Sequence, residues 1–239
     1  MDAVVFDIWA DYAMFKKPYT LASPVSFPVP PPTAIFGIVG AIVGFSKGEY
    51  LEKLSADSTE KVKVGIILLK PVRYFRSTLN FLSTKDGKFY YHTKIQIPHE
   101  FIKDPEYRII FAHEDKEILD ELAARLQDNN PVFTPYLGTS SCIADTRFVL
   151  KDTLREYQSK EEDLLNLHSV VPLSSHPSIK AHFESGVKLT RLRVPSRMQP
   201  DRTVVRYEDI LVDESAVHGI TVSGIQSFYK VQDCRVLLF

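Results

Sequence analysis

The chain opens on Val4-Val5-Phe6-Asp7-Ile8-Trp9, a β-branched and aromatic run that predicts a buried strand. Residues 18–32 then carry Pro18, Pro24, Pro28, Pro30, Pro31 and Pro32. Proline fixes φ and has no N–H for a ladder, so this stretch is expected to be a stiff connector rather than a strand. Ala34 to Gly44 reads as a buried helix with Thr33 as its N-cap. Its glycines at 37, 40 and 44 lie near one face, which suits either close packing on a sheet or docking of a partner. Val62 to Leu69 is a second strand. Arg73 to Phe81 and Lys88 to Ile97 flank Lys85-Asp86-Gly87-Lys88, and Asp-Gly between strand-like runs signals a hairpin. Tyr107 to Ala112 makes another strand.

Asp115 to Asp128 carries the clearest helical period, with Ile118, Leu119, Leu122, Ala123 and Leu126 as one stripe and Glu121 and Arg125 four apart. Pro131 ends it, Tyr136 to Ser141 is a loop, and Ala144 to Leu150 a strand. The order is β-α-β, a hairpin insertion, then β-α-β. It predicts an α+β fold with a ferredoxin-like (RRM-type) sheet and its helices on one face. Beyond it, Lys188 to Val194, Arg202 to Tyr207 and Gly219 to Leu238 read as strand-rich, with turns at Pro195 and Pro200.

Composition narrows the class. With 239 residues, 44% hydrophobic and 25% charged, the chain can bury a substantial core and is not globally disordered. Two cysteines, Cys142 and Cys234, are too few for a secreted disulfide framework, which points to a reducing, cytoplasmic setting. The histidines show no zinc spacing, so neither a metal nor another cofactor is expected. The longest apolar run, 34–45, is too short to span a membrane.

A net charge of -1 speaks against nucleic acid only as an average. Residues 70–94 carry Lys70, Arg73, Arg76, Lys85, Lys88 and Lys94 against Asp86 alone. Residues 180–207 carry seven bases, Arg191 and Arg193 among them, against Glu184 and Asp201. Acids concentrate in 99–128 and 208–215. A basic face with an acidic back suits phosphate binding, and solvated strand edges give the same pattern. The hairpin also interleaves cations with aromatics: Arg73-Tyr74-Phe75-Arg76 and Lys88-Phe89-Tyr90-Tyr91-His92-Thr93-Lys94. Cations hold phosphates and aromatics stack on bases, although Phe75, Phe89 and Tyr91 also suit a core. The i, i+2 rule puts Tyr74 and Arg76 on one face and Arg73 and Phe75 on the other. Gly138-Thr139-Ser140-Ser141 offers hydroxyls and N–H groups without a neighbouring base, and so suits a turn or a phosphate contact. Tyr91, His92 and Lys94 together are the residues from which a metal-free ribonuclease site could be built.

Ser26-Phe27-Pro28-Val29-Pro30-Pro31-Pro32-Thr33-Ala34-Ile35-Phe36-Gly37-Ile38-Val39-Gly40-Ala41 resembles the N-terminus of the CRISPR-associated Cas-five family. There a strand leads through a P-P-P-T-A-x-x-G-x-x-G turn into the first helix. Pro135-Tyr136-Leu137-Gly138-Thr139-Ser140-Ser141 before Ala144 is similar to that family's Leu-Gly-x-Ser loop. The resemblance covers about the first 150 residues and is closest to type I-B members. It implies a ferredoxin-like RAMP-superfamily core over 1–155, a hairpin thumb at about 72–97, and a β-rich C-terminal extension over 156–239.

It further implies a non-catalytic subunit of the type I surveillance complex Cascade, capping the 5′ handle of crRNA in antiviral defence. The partners implied are crRNA, target DNA near the guide duplex, the backbone subunit (Cas-seven family) and the large subunit (Cas-eight family). The RNA contacts expected are Lys16, Lys17 and Tyr19 after the first strand, Arg73, Tyr74, Arg76, Tyr91 and Lys94 in the hairpin, Gly138, Thr139, Ser140 and Ser141, and Arg191 and Arg193. The alternative is a metal-independent endoribonuclease that processes precursor crRNA, as in the type I-C branch. That branch uses a tyrosine and an adjacent lysine and histidine, and no histidine here directly follows a lysine.

Overall fold

The computed structural model describes residues 1–20, 23–55, 61–82, 94–183, 185–216 and 219–239. In chain order the first part holds β1 (Asp2–Trp9), β2 (Tyr12–Ala13), β3 (Phe15–Lys16), β4 (Ser26–Phe27), α1 (Pro32–Val43) and α2 (Glu49–Leu54). β5 (Val62–Leu68), β6 (Tyr74–Leu82), β7 (Lys94–Lys103), β8 (Glu106–His113), α3 (Lys116–Gln127) and β9 (Asp145–Thr153) follow. The remainder is all strand: β10 (Glu156–Gln158), β11 (Leu165–Leu167), β12 (Val171–Pro172), β13 (Lys180–Ala181), β14 (Leu189–Met198), β15 (Val204–Asp213), β16 (Ile220–Ser223), β17 (Ser227–Val231) and β18 (Cys234–Val236). The fold is mixed, with many strands and few helices.

A four-stranded sheet in the order β5-β8-β1-β9, antiparallel throughout, forms the centre. β1 is buried along nearly its whole length, because alternate residues serve two cores. Val4, Phe6 and Ile8 face α1 and α3, while Ala3 and Val5 meet Leu154, Val231, Val236 and Leu238 on the other side. The C-terminal strands therefore cover the sheet face that the helices leave free.

Asp7 is fully buried in β1, directly opposite Arg108 of β8 and Arg147 of β9. Each arginine closes an ion pair of 2.7 Å with it. Burial pushes the Asp7 carboxyl up, but these two guanidinium groups outweigh it and hold the acid below its usual range.

Several boundaries differ from the sequence reading. The Pro-rich stretch is not strand-free, since Lys16 pairs with Ser26 and Phe15 with Phe27. Those two residues keep their N–H groups between flanking prolines. Thr33 is not the N-cap of α1. Pro31 holds that place and Pro32 starts the helix, where a missing N–H costs nothing. The Thr33 hydroxyl instead donates to the Pro195 carbonyl at 3.4 Å. The helix glycines do not pack on the sheet: a Cβ on Gly40 would lie 2.7 Å from Cβ of Tyr50 in α2, and one on Gly44 2.9 Å from Val132. β14 runs straight through Pro195 instead of turning there, because a bulge between Pro195 and Arg197 accommodates the ring. β7 likewise passes through Pro98 to Lys103. Among the described residues no strand pairs with its outer side at Pro98, so the missing donor breaks no ladder. The helix at 115–128 holds as expected: the Asp115 side chain accepts from Glu117 N at 2.9 Å, and Glu121 pairs with Arg125 at 2.7 Å.

Candidate nucleic-acid interface

The loop at 136–142 is tied to the segment after β1. Met14 N donates to the Leu137 carbonyl at 3.0 Å, and Leu137 N to that of Cys142 at 2.8 Å. Gly138 has φ +90, and its α-carbon is turned toward the Met14 carbonyl with no room for a side chain. The Thr139 hydroxyl lies 3.2 Å from that of Ser141 and 3.3 Å from the buried Cys142 sulfur.

This loop walls one side of a groove of about 720 Å³. α1 forms its floor through Ala34, Gly37 and Ala41, and the β14–β15 hairpin closes the far end. Its small floor residues keep it open, and Tyr50, Phe133 and Tyr136 supply aromatic surface. Three cations line it, Lys16, Lys47 and Arg202, and no aspartate or glutamate does. None of the three makes an ion pair among the described residues. Cations with no opposing carboxylate, set in low-dielectric walls, concentrate a positive field and attract phosphate.

The expected residues divide on this geometry. Lys16, Gly138 and Thr139 meet at the groove. Lys17 and Tyr19 do not line it: Lys17 lies 5.8 Å from the Phe27 ring centroid, and Tyr19 is exposed beside the entrance residue Pro18. Ser140 and Ser141 are exposed just beyond Thr139. Arg191 pairs with Asp209 at 2.8 Å and Arg193 stacks on Tyr207 at 5.5 Å, both away from the groove. Lys47 and Arg202 do not stand out as contacts in the sequence. Arg202 belongs to the basic 180–207 segment, whereas Lys47 carries no signal of its own.

The β6–β7 hairpin presents two unlike faces, with Phe75 opposite Phe101 and Arg76 opposite Glu100. On one face an aromatic row runs Phe81, His99, Phe101, Tyr12, Phe75, with successive centroids 5.5 to 6.1 Å apart. Phe75 and Phe81 are each 41% exposed. The other face carries Tyr74, Arg76 and Lys94. Arg76 reaches Glu100 through two nitrogens at 3.1 Å, and Arg73 meets Asp104 at 2.6 Å. Burial, then the Glu214 carboxylate that its hydroxyl contacts at 3.2 Å, raises the Tyr74 phenol well above its ordinary value. The hairpin arginines are thus charge-matched where the groove cations are not. Lys94 makes no ion pair among the described residues. Tyr91, His92 and the turn at 85–88 lie outside the described residues.

Among the described residues no three His, Cys, Asp or Glu side chains form a group able to hold a metal ion. Among the described residues no helix is long and apolar enough to cross a membrane.

A family model described as "CRISPR-associated protein (Cas_Cas5)" matches residues 3–213. The chain belongs to that CRISPR-associated Cas-five family. No curated protein matches its sequence. Among solved structures, it is similar to a CRISPR protein from Archaeoglobus fulgidus, at 11% identity and TM-score 0.57, with 99% of this chain and 98% of that one covered. It is also similar to a chain of a structure titled "CRISPR RNA-guided surveillance complex", at 11% identity and TM-score 0.50, covering 94% of this chain and 91% of that one. At these identities the likeness is one of fold.

Proposed function

We propose that this chain is an RNA-binding subunit of a type I CRISPR surveillance complex, that it caps the 5′ handle of crRNA, and that it does so without cutting RNA. Membership of the Cas-five family and the fold shared with a surveillance-complex chain support the setting. The strand order β5-β8-β1-β9, with α1 and α3 on one face, supports a ferredoxin-like core, and the β6–β7 hairpin supports the reading of a thumb. One observation carries the RNA reading: the groove gathers Lys16, Lys47 and Arg202 beside Gly138 and Thr139, with aromatic walls and no carboxylate.

In this reading cations take the phosphates and Tyr50, Phe133 and Tyr136 offer stacking surface to unpaired bases. Guide pairing supplies sequence specificity, and the protein reads RNA backbone and shape. The hairpin and the acidic surfaces are left for the backbone subunit, the large subunit and the target strand, in the cytoplasm.

The test is co-expression with the backbone subunit and a repeat array, followed by sequencing of the bound RNA's 5′ ends. A uniform handle at the 5′ end is expected, and its loss in a Lys16→Ala, Lys47→Ala, Arg202→Ala triple variant. Random 5′ ends would sink the capping role. Specific cleavage of repeat RNA by the pure chain in EDTA, lost in His92→Ala, would instead establish the ribonuclease reading.

A further inference from the structure

A second cationic pocket lies away from the groove. In the β14–β15 register Arg197 stands directly opposite Arg206. Like charges facing each other across a ladder are destabilising, so such a pair asks for a counter-ion. Arg197 is 6% exposed. Its Nη2 donates to the Val62 carbonyl at 2.8 Å and its guanidinium lies 5.1 Å from the Phe36 ring centroid. Its Nη1 has no hydrogen-bond partner among the described residues. A buried guanidinium N–H left unpaired is costly, more so than a neutral donor. Burial, then the Arg206 charge, pulls Arg197 down to about 10, which still leaves it a cation at neutral pH.

Both arginines line a pocket of about 250 Å³ with Lys63 of β5, Ser175 and Tyr229. Lys63 Nζ is 3.4 Å from the Tyr229 hydroxyl, and Arg206 Nη2 3.3 Å from the Ser175 hydroxyl. Two carboxylates are near. Glu208 meets Arg206 at 3.6 Å but also accepts from Ser175 N at 2.8 Å, and Glu156 accepts from the Ser227 hydroxyl at 2.5 Å. Three cations stand against these two acids. The Ser175 hydroxyl donates to Glu208 at 3.2 Å, the Tyr229 hydroxyl accepts from Lys63 and keeps its proton for an anion, and Arg197 Nη1 is buried within the wall.

We propose that this pocket is a phosphate site, in which a tetrahedral oxyanion is held by Arg197, Arg206 and Lys63 with the Tyr229 hydroxyl. Forked guanidinium donors and a lysine point charge are the pairing such an oxyanion favours. The phosphate comes either from a nucleic-acid strand crossing this second side of the β14–β15 hairpin or from a free anion.

The experiment uses the full chain. Inorganic phosphate is titrated at constant ionic strength against chloride while Tm is followed, in wild type and in Arg206→Gln. Arg206 is 45% exposed at its side chain, so this variant is expected to fold, and Lys63→Gln is the second variant. A phosphate-dependent rise of several degrees is expected in wild type. A tenfold or greater loss of phosphate affinity is expected in Arg206→Gln. A second arm measures affinity for a short single-stranded RNA in both proteins. A tenfold loss there assigns the phosphate to a nucleic-acid strand, and an unchanged RNA affinity with the phosphate response lost assigns it to a free anion. The same phosphate response in both proteins, including none, together with unchanged RNA affinity overturns the proposal.

Discussion

Gly138 and Met14 are in such close contact that a side-chain carbon on the glycine would run into the methionine's carbonyl oxygen. Met14 N is meanwhile bonded to Leu137, so neither segment can withdraw alone. With φ at +90, alanine there carries conformational strain as well as the clash. Gly138→Ala is expected to cost about 2–4 kcal/mol in a denaturant melt, at the upper end of single substitutions. It should also open the wall of the groove. An affinity for single-stranded RNA that survives while stability falls would detach this loop from binding.

The groove and hairpin differ in how their charges are matched, which gives a ranking. Removing Lys16, Lys47 or Arg202 is expected to weaken single-stranded RNA binding and to reduce the salt slope by about 0.7 for each phosphate no longer neutralised. Arg73→Ala and Arg76→Ala release Asp104 and Glu100 from their pairs and are also expected to weaken binding, through repulsion. They should alter it less than the groove triple variant does. Equal losses at equal salt, read by fluorescence anisotropy, would move the principal RNA surface to the hairpin.

Asp7 sets an acid limit. Its folded pKa lies below the unfolded value of 3.8, so its ionised form contributes stability above that pH. The contribution is lost as pH falls through the folded pKa. Asp7→Asn is expected to cost about 2 kcal/mol at pH 7, since it removes a fully buried carboxylate from the partly buried Arg108, while the exposed Arg147 regains water. The variant should also lose less stability than wild type between pH 4 and pH 2, measured by thermal melts. Parallel pH curves would show that other carboxylates set the limit.

The aromatic row on the hairpin should make the chain self-associate when alone. Phe75→Ser with Phe81→Ser is expected to lower light scattering at high protein concentration. Its stability cost should be modest, about 1 kcal/mol for each ring removed from the row. Unchanged scattering would place the sticky surface elsewhere.

The sheet strands and the 115–128 helix were legible because burial writes a strong period into them: the β1 run and the Leu119–Leu126 stripe leave no second reading. The Pro-rich turn and the Gly138 loop were legible as motifs. What escaped depended on contacts distant in sequence. Thr33 has the chemistry of an N-cap, and only Pro195, far along the chain, explains why its hydroxyl points elsewhere. Arg73 and Arg76 read as free cations because Asp104 and Glu100 reach them only after β6 pairs with β7. Lys47 and Arg202 share the groove through α1, β14 and β15, a neighbourhood no local pattern announces. Of the aromatic row only Phe75 stood out in the sequence, and Phe81 joins it as the i+6 residue of the same strand face. His99, Phe101 and Tyr12 join it by register and by the β2–β7 pairing.

The packing of Val231, Val236 and Leu238 beneath the central sheet has a last consequence. RRM-type modules bind bases flat on the open face of a four-stranded sheet. Here the sheet face opposite the helices is covered by the chain's own C-terminal strands. Under the proposed RNA-binding role, RNA is left with the rims: the loops, the hairpins and the cleft beside the first helix. These rims are made of segments that can lengthen or change charge without disturbing the core, so contacts can diversify while the sheet beneath them stays fixed.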